Sequence, residues 1–177
     1  KWAAQIYFVA SEEMLHLGQA WNLLAAIGGT PYYFRPNFPQ NAKYYPIEAN
    51  LLLEPFGLHA MQRFVFYERP QNVSPAEVCA DQLGISQKGL NDPEYSSVGE
   101  LYSLIRAGFE CISENRLFLG RPDRQVGRDL VDFPDIIKVF DRETAFRAID
   151  MIVEQGEGNP RDPVNSHYGA FMQVKKE

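Results

Sequence analysis

Apolar side chains recur at steps of three and four residues through the first 27 residues, which is the spacing of one face of an α-helix. Gly28 and Gly29 follow, and glycine readily adopts the left-handed conformation that ends a helix. The pattern therefore predicts one long helix over residues 1–27. Because the pattern is already running at Lys1, with no initiator methionine, we expect a segment to be missing upstream. The predicted buried stripe consists of Ile6, Val9, Met14, Leu17, Trp21, Leu24 and Ile27.

Three further stretches repeat the helical spacing. The second helix is predicted over residues 54–70, where Pro70 ends it. The third begins near Ser97, with Ser96 or Ser97 as its N-cap. Asp141 is predicted to cap the fourth helix, which "NPRDP" interrupts and which resumes in "VNSHYGAFMQVKKE".

The connections between these helices are long and rich in proline and aromatic residues. No helix or central strand tolerates the proline density of "TPYYFRPNFPQNAKYYPIEANL", and its aromatic side chains favour an ordered loop packed across the helices. Residues 71–96 are turn-rich, with a short helix after Ser74 as one interpretation, and residues 117–141 are predicted to form a loop with a short strand at 136–139. The chain is thus predicted to be a single all-α domain of 177 residues, a helix bundle with long crossover loops.

Composition narrows the class of protein. Apolar residues make up 45% of the chain and charged residues 23%, as in ordinary globular proteins. The net charge of −6 argues against a nucleic-acid partner, which needs a basic face. No membrane span or signal peptide is visible, and Cys79 and Cys111 lack CxxC spacing, so we expect a cytoplasmic protein with reduced thiols.

The first candidate for chemistry is Glu13-x-x-His16 in the first helix. Residues three apart share a helix face, so the carboxylate and the imidazole can reach one metal ion. The pair borders the apolar stripe, with Glu12 expected to point further outward than Glu13. The alternative is a partly buried polar pair that hydrogen-bonds to a neighbouring helix.

A second candidate combines Glu157 with His167. Steps of seven and four from Phe146 reach Val153 and Glu157, so Glu157 lies on the apolar face, where a carboxylate is costly unless it is paired or ligating. Glu154 falls on the solvated face and is the fallback ligand. The alternative is a helix end with a surface loop, and a core histidine at position 167.

Glu100 is a weaker candidate at the edge of the third apolar stripe. A glutamate in the first turn of a helix normally interacts with the helix dipole, and that interpretation suffices for its position. His59 and Glu68 are interpreted as structural or surface residues.

Four separated blocks of the chain resemble one known family: "EEMLHLGQAWNLLAAIGGTPYYFRPNFP", "LEPFGLHAMQRFVFYERP", "SVGELYSLI" and "IVEQGEG…SHYGAF". The family is that of the bacterial ferritin-like domains related to the iminophenyl-pyruvate dimer synthase of violacein- and rebeccamycin-type biosynthesis. The resemblance implies a ferritin-like four-helix bundle whose first helix, with its own glutamate, would precede Lys1. It also implies a site for iron, in one or two ions, with manganese or zinc as alternatives; its ligands would be Glu13, His16, Glu100, Glu157 and His167.

The resemblance sets the functional expectations. We expect a metal-binding protein, an iron-dependent oxidoreductase or oxidative-coupling enzyme of secondary metabolism that acts on a small molecule. The alternative is a non-catalytic helical interaction or scaffold module with a vestigial site, and a third interpretation is a zinc hydrolase. We further expect no membrane or nucleic-acid partner, and either a homo-oligomer or a missing N-terminal segment as the protein partner.

Overall fold

The computed structural model describes residues 1–32, 37–41, 47–48, 50–72, 86–87, 95, 97–156 and 165–177. This part of the chain contains six α-helices: α1 (Trp2–Ala26), α2 (Leu58–Tyr67), α3 (Val98–Cys111), α4 (Glu114–Leu117), α5 (Arg142–Gly156) and α6 (His167–Lys176). A 3-10 turn spans Pro122–Arg124. Four two-residue strands are present, β1 (Gln40–Asn41), β2 (Ile47–Glu48), β3 (Asn50–Leu51) and β4 (Ser86–Gln87); β1 pairs with β3 and β2 with β4, both antiparallel.

The all-α prediction is confirmed, and the predicted helix ends mostly agree with the structure. Gly28, at φ 84°, follows the end of α1 in the left-handed conformation that favours glycine. Ser97 Oγ accepts a hydrogen bond from Glu100 N at 3.2 Å, so Ser97 caps α3 as predicted. The short helix predicted after Ser74 lies outside the described residues. Among the described helices, none combines the length and the apolar character that a membrane crossing requires.

The chain divides into two compact units, each built from segments that are distant in sequence. The first unit comprises Lys1–Tyr33 with Tyr102–Gln155, and the second comprises Phe34–Leu101 with Gly156–Glu177. In the first unit, α1, α5 and the part of α3 from Tyr102 onward enclose a core, which consists of Leu23, Ala26, Phe109, Leu117, Val139, Ala145, Ala148 and Ile149.

The buried face of α1 differs from the predicted stripe. Of the predicted residues, Val9 is buried, but Met14 is 55% and Leu17 43% exposed. The buried positions of α1 are Val9, Leu15, His16, Gln19, Asn22, Leu23, Ala25 and Ala26. The prediction was wrong because three polar residues lie on the buried side, so hydrophobicity alone does not mark that side.

Gln19 and Asn22 of α1, together with Gln125, form hydrogen bonds with the backbone of the loop that precedes α5. Gln19 Oε1 accepts from Ile137 N at 3.2 Å. Asn22 Nδ2 donates to Val126 O and Ile137 O at 2.8 Å each, and Asn22 Oδ1 accepts from Val126 N at 2.7 Å. Gln125 pairs with both backbone groups of Val139 at 2.6 Å. The short strand predicted at 136–139 is therefore wrong: side-chain amides take the place of a neighbouring strand there.

The second unit is built around the packing of α2 against α6. The rings of Phe64 and Phe171 stack with centroids 5.0 Å apart. Val65 and Phe66 are fully buried, and the guanidinium of Arg69 lies 4.2 Å from the centre of the Phe66 ring. Ser166 Oγ accepts from Gly169 N at 3.1 Å and so caps α6, which places His167 at the first helical position.

Candidate metal centre

Glu13 and His16 form a direct contact on α1 in the first unit. His16 Nδ1 lies 3.2 Å from Glu13 Oε1. The imidazole is buried, with 8% of its side chain exposed, whereas the Glu13 side chain is 48% exposed. The shared face predicted from the spacing is confirmed. The expectation that Glu12 points further outward is wrong, since Glu12 is half-buried and Glu13 is exposed.

The other ring nitrogen of His16 contacts a residue that the sequence did not single out. His16 Nε2 lies 2.8 Å from Gln155 Oε1 at the end of α5. A signal for Gln155 was present in the sequence, since it follows the buried Ala148 and Ile152 at steps of seven and three. The buried face of α5 thus ends in an amide directed at His16.

Tyr102 is a second residue of this site that sequence reasoning missed. Burial, and after it the negative charge of Glu13, raises the pKa of Tyr102 to about 12. Like any phenol at neutral pH, Tyr102 is protonated, and the effect of Glu13 on its pKa shows that the two residues are near each other. No sequence pattern marks Tyr102, because it looks like an ordinary core aromatic residue of the third helix.

His167 lies in the second unit and is almost completely buried, with 1% of the residue exposed. Its Nδ1 lies 3.6 Å from Oε2 of Glu68, which follows α2 directly. The interpretation of Glu68 as a structural or surface residue therefore missed its contact with a predicted ligand. No sequence signal pointed to this pair, because the two residues are far apart in the chain.

The structure describes some of the remaining predicted ligands and leaves out others. Glu100 is half-buried in the first turn of α3, the position in which a glutamate interacts with the helix dipole. Glu154 is exposed, in agreement with the predicted solvated face. Glu157 lies outside the described residues. His59 is an exposed histidine whose Nδ1 is 2.9 Å from Glu54 Oε1, which fits the surface role predicted for it.

Glu13, which is exposed, and His16, which is buried, are two side chains of α1 that could bind a metal ion, and the buried His167 is a further potential ligand. Glu13 and His16 belong to the first unit and His167 to the second. Carboxylate oxygen and imidazole nitrogen are donors that suit iron, manganese and zinc.

A helical fold with a Glu-x-x-His element in a long helix is typical of the carboxylate-bridged metal proteins. The chain belongs to the Ferritin-like family, which matches residues 1–176. It is 30% identical to a dichlorochromopyrrolate synthase of Lentzea aerocolonigenes over 94% of this chain and 17% of that protein. It is 24% identical to a 2-imino-3-(indol-3-yl)propanoate dimerase of Chromobacterium violaceum over 98% of this chain and 16% of that protein.

The chain therefore spans about one sixth of the length of these curated relatives. No solved structure matches the chain significantly.

Proposed function

We propose that this protein binds a metal ion and that iron is the metal. The observation that carries the proposal is the buried His16, whose imidazole contacts the Glu13 carboxylate on the same helix face. Residues three apart on a helix project side by side, so this carboxylate and this imidazole can reach one ion. The donor set of nitrogen and oxygen without cysteine fits iron, with manganese and zinc as alternatives.

The proposed ligands are those that the sequence predicts, namely Glu13, His16, Glu100, Glu157 and His167. Two features of the described residues support the set. His167 is buried, as a ligand on a helix should be, and its Nδ1 lies beside a carboxylate. Glu154 is the fallback for Glu157, although its exposure makes it the weaker ligand.

We further propose that the metal serves oxidative coupling of small aromatic molecules in bacterial secondary metabolism. The names of the two relatives, a synthase of dichlorochromopyrrolate and a dimerase of an indolyl imino acid, support this substrate class. When bound, an iron ion supplies a Lewis acid and a centre for O₂ chemistry. Tyr102, whose pKa is raised by burial and by the charge of Glu13, would supply a hydrogen-bond donor to the reacting molecule.

Metal analysis of the purified protein tests this function. We expect iron in near-stoichiometric amount in the wild type and its loss in the double variant Glu13→Ala/His16→Ala. The matched control is the double variant Glu54→Ala/His59→Ala, which removes a histidine–carboxylate contact of similar length at the surface. A wild-type protein without metal after reconstitution contradicts the proposal. Zinc together with hydrolytic activity that needs no O₂ would favour the hydrolase interpretation instead.

The second candidate function is a non-catalytic interaction module that pairs with a second copy of the chain. It is favoured by the exposed apolar side of α1, where Tyr7, Met14 and Leu17 are all more than 40% exposed. These residues recur at steps of seven and three, which suits packing against another helix. Light scattering of the purified protein tests the interaction module. A wild-type dimer that the double variant Met14→Gln/Leu17→Gln converts to a monomer supports it, and a monomeric wild type contradicts it.

The cytoplasm is the proposed compartment, with no nucleic acid as partner. Cys111 supports the first point, because it is a free and exposed thiol, which is typical of reducing compartments. The net charge of −6 supports the second.

A further inference from the structure

Glu68 and His167 meet in the second unit through an arrangement that several neighbouring residues maintain. The Ser166 cap fixes His167 at the start of α6. At the other side, the backbone N–H of Glu68 donates to Phe64 O at 3.0 Å, which holds Glu68 at the end of α2. The packing of α2 against α6 then sets Glu68 Oε2 at 3.6 Å from Nδ1 of the buried imidazole.

The neighbours of Glu68 in the second unit include Arg69 and Gly156. The neighbouring Arg69 is turned to Phe66, since its Nη1 donates to Phe66 O at 2.7 Å and its guanidinium covers the Phe66 ring. A Cβ added at Gly156 would lie 3.6 Å from Glu68 Oε2, an ordinary van der Waals distance, so the end of α5 passes close to the carboxylate. The Glu68 side chain is 24% exposed, which keeps it partly solvated, while the His167 side chain is 2% exposed.

A carboxylate beside one nitrogen of an imidazole selects the ring tautomer. The N–H dipole points its positive end at the carboxylate, whereas a lone pair on the same nitrogen would be repelled by it. In metal-ligating histidines a hydrogen bond to a carboxylate commonly fixes a proton on one nitrogen and leaves the other nitrogen to bind the metal. At 3.6 Å the Glu68–His167 contact is longer than a hydrogen bond, so here the carboxylate acts through its charge.

We propose that Glu68 is a positioning residue that holds the proton of His167 on Nδ1 and so presents Nε2 as the metal-binding atom. The inference rests on the proposed function, because it assigns the atom by which a proposed ligand binds. It adds a residue outside the predicted ligand set, and one that the sequence alone interprets as structural. Glu68 acts through His167 and is not itself assigned as a ligand.

Long-range ¹H–¹⁵N NMR of the histidine rings in the metal-free protein tests the tautomer directly, at a pH where the rings are neutral. We expect His167 of the wild type to carry its proton on Nδ1 and the Glu68→Leu variant to lose that preference. Glu68→Gln keeps the volume and polarity of the side chain and serves if Glu68→Leu does not fold; its preference for Nδ1–H should be weaker than in wild type. Glu54→Leu, the same change beside the exposed His59, should leave the His167 signals unchanged.

Metal titration is the second readout. We expect Glu68→Leu or Glu68→Gln to weaken iron binding by about 10- to 100-fold, while Glu54→Leu binds like wild type. A wild-type His167 with its proton on Nε2, or Glu68 variants with unchanged tautomer and affinity, would overturn the inference. If the wild type binds no metal, the proposed function fails, yet the NMR spectra still decide whether Glu68 sets the tautomer.

Discussion

At the residue scale, Gly120 occupies a position in the described part of the chain where a larger residue would clash with the backbone. Its N–H donates to Ala26 O at 2.8 Å, and an added Cβ would lie 1.7 Å from Ala25 O. Atoms cannot approach so closely, so the segment after α4 would have to move away from the end of α1 and lose that hydrogen bond. Glycine is therefore required by the close approach of two backbones and not by its conformation.

Gly120→Ala should lower the free energy of unfolding by about 2 kcal/mol or more, the cost of overpacking a tight contact. Urea denaturation followed by circular dichroism measures the change. Gly108→Ala is the matched control, because a Cβ there meets nothing within 4 Å and the residue lies inside α3. That variant should gain about 0.5–1 kcal/mol. Equal stability of the two variants would show that the contact at Gly120 is not tight in solution.

The buried amide side chains of α1 stabilise the fold through hydrogen bonds to the backbone of the loop before α5. Asn22 makes three hydrogen bonds to the backbone of Val126 and Ile137, and its side chain is fully buried. Asn22→Leu keeps a similar volume but leaves those backbone groups without their partner, at about 1–3 kcal/mol for each group. We expect a loss of at least about 3 kcal/mol in urea denaturation.

Gln19→Met provides the comparison for Asn22. Gln19 is equally buried but has one backbone hydrogen bond in the described residues, from Ile137 N at 3.2 Å. Its replacement should cost about 1 kcal/mol. If Gln19→Met costs as much as Asn22→Leu, the number of backbone partners is not what sets the stability.

At the element scale, α5 depends on its first residues. Asp141 Oδ1 accepts hydrogen bonds from the backbone N–H of Thr144 at 2.8 Å and from its hydroxyl at 2.7 Å. The backbone hydrogen bond of Thr144, followed by that of its side chain, lowers the pKa of Asp141 below the usual 3.8. The folded state thus prefers the ionised carboxylate, which is the group that caps the helix.

Asp141→Ala should cost about 1 kcal/mol of stability at neutral pH. Because the folded pKa lies below the unfolded one, the contribution of the carboxylate is complete above pH 3.8 and is lost as the pH falls through the folded pKa. Thermal unfolding of both proteins between pH 7 and pH 3 should therefore show curves that converge at the acid end. Asp135→Ala, an exposed carboxylate in the preceding loop, should follow wild type throughout; a constant gap between wild type and Asp141→Ala would contradict the role of the charge.

For the helices, the sequence predicts where they end but not which side of α1 is buried. The helix ends were predictable, because Gly28, Ser97 and Asp141 act on backbone groups within four residues of themselves. The inward side of α1 was not, since His16 is buried by contacts with residues such as Gln155 that are distant in the chain. Glu13 with His16 could be predicted as one local pair, whereas the Glu68–His167 contact depends on how α2 packs against α6. Local spacing therefore finds the first residues of such a site, and tertiary packing chooses their supporting partners.

At the scale of the whole molecule, each compact unit joins an early and a late segment of the chain, and the proposed ligands are divided between the units. A metal that binds the folded protein alone raises its stability by about 2.7 kcal/mol at a concentration one hundred times the dissociation constant. For a chain of this size that corresponds to a rise in Tm of about 5–10 °C.

We expect iron(II), added without O₂, to produce this rise in the wild type. Because both buried histidines are proposed ligands, His16→Ala and His167→Ala should each abolish the rise. His59→Ala should retain it, since His59 lies beside Glu54 on the surface and is not a proposed ligand. If only one of the two buried histidines is needed, the other must be removed from the ligand set. A rise that persists in both variants would instead assign the stabilisation to metal bound elsewhere on the protein.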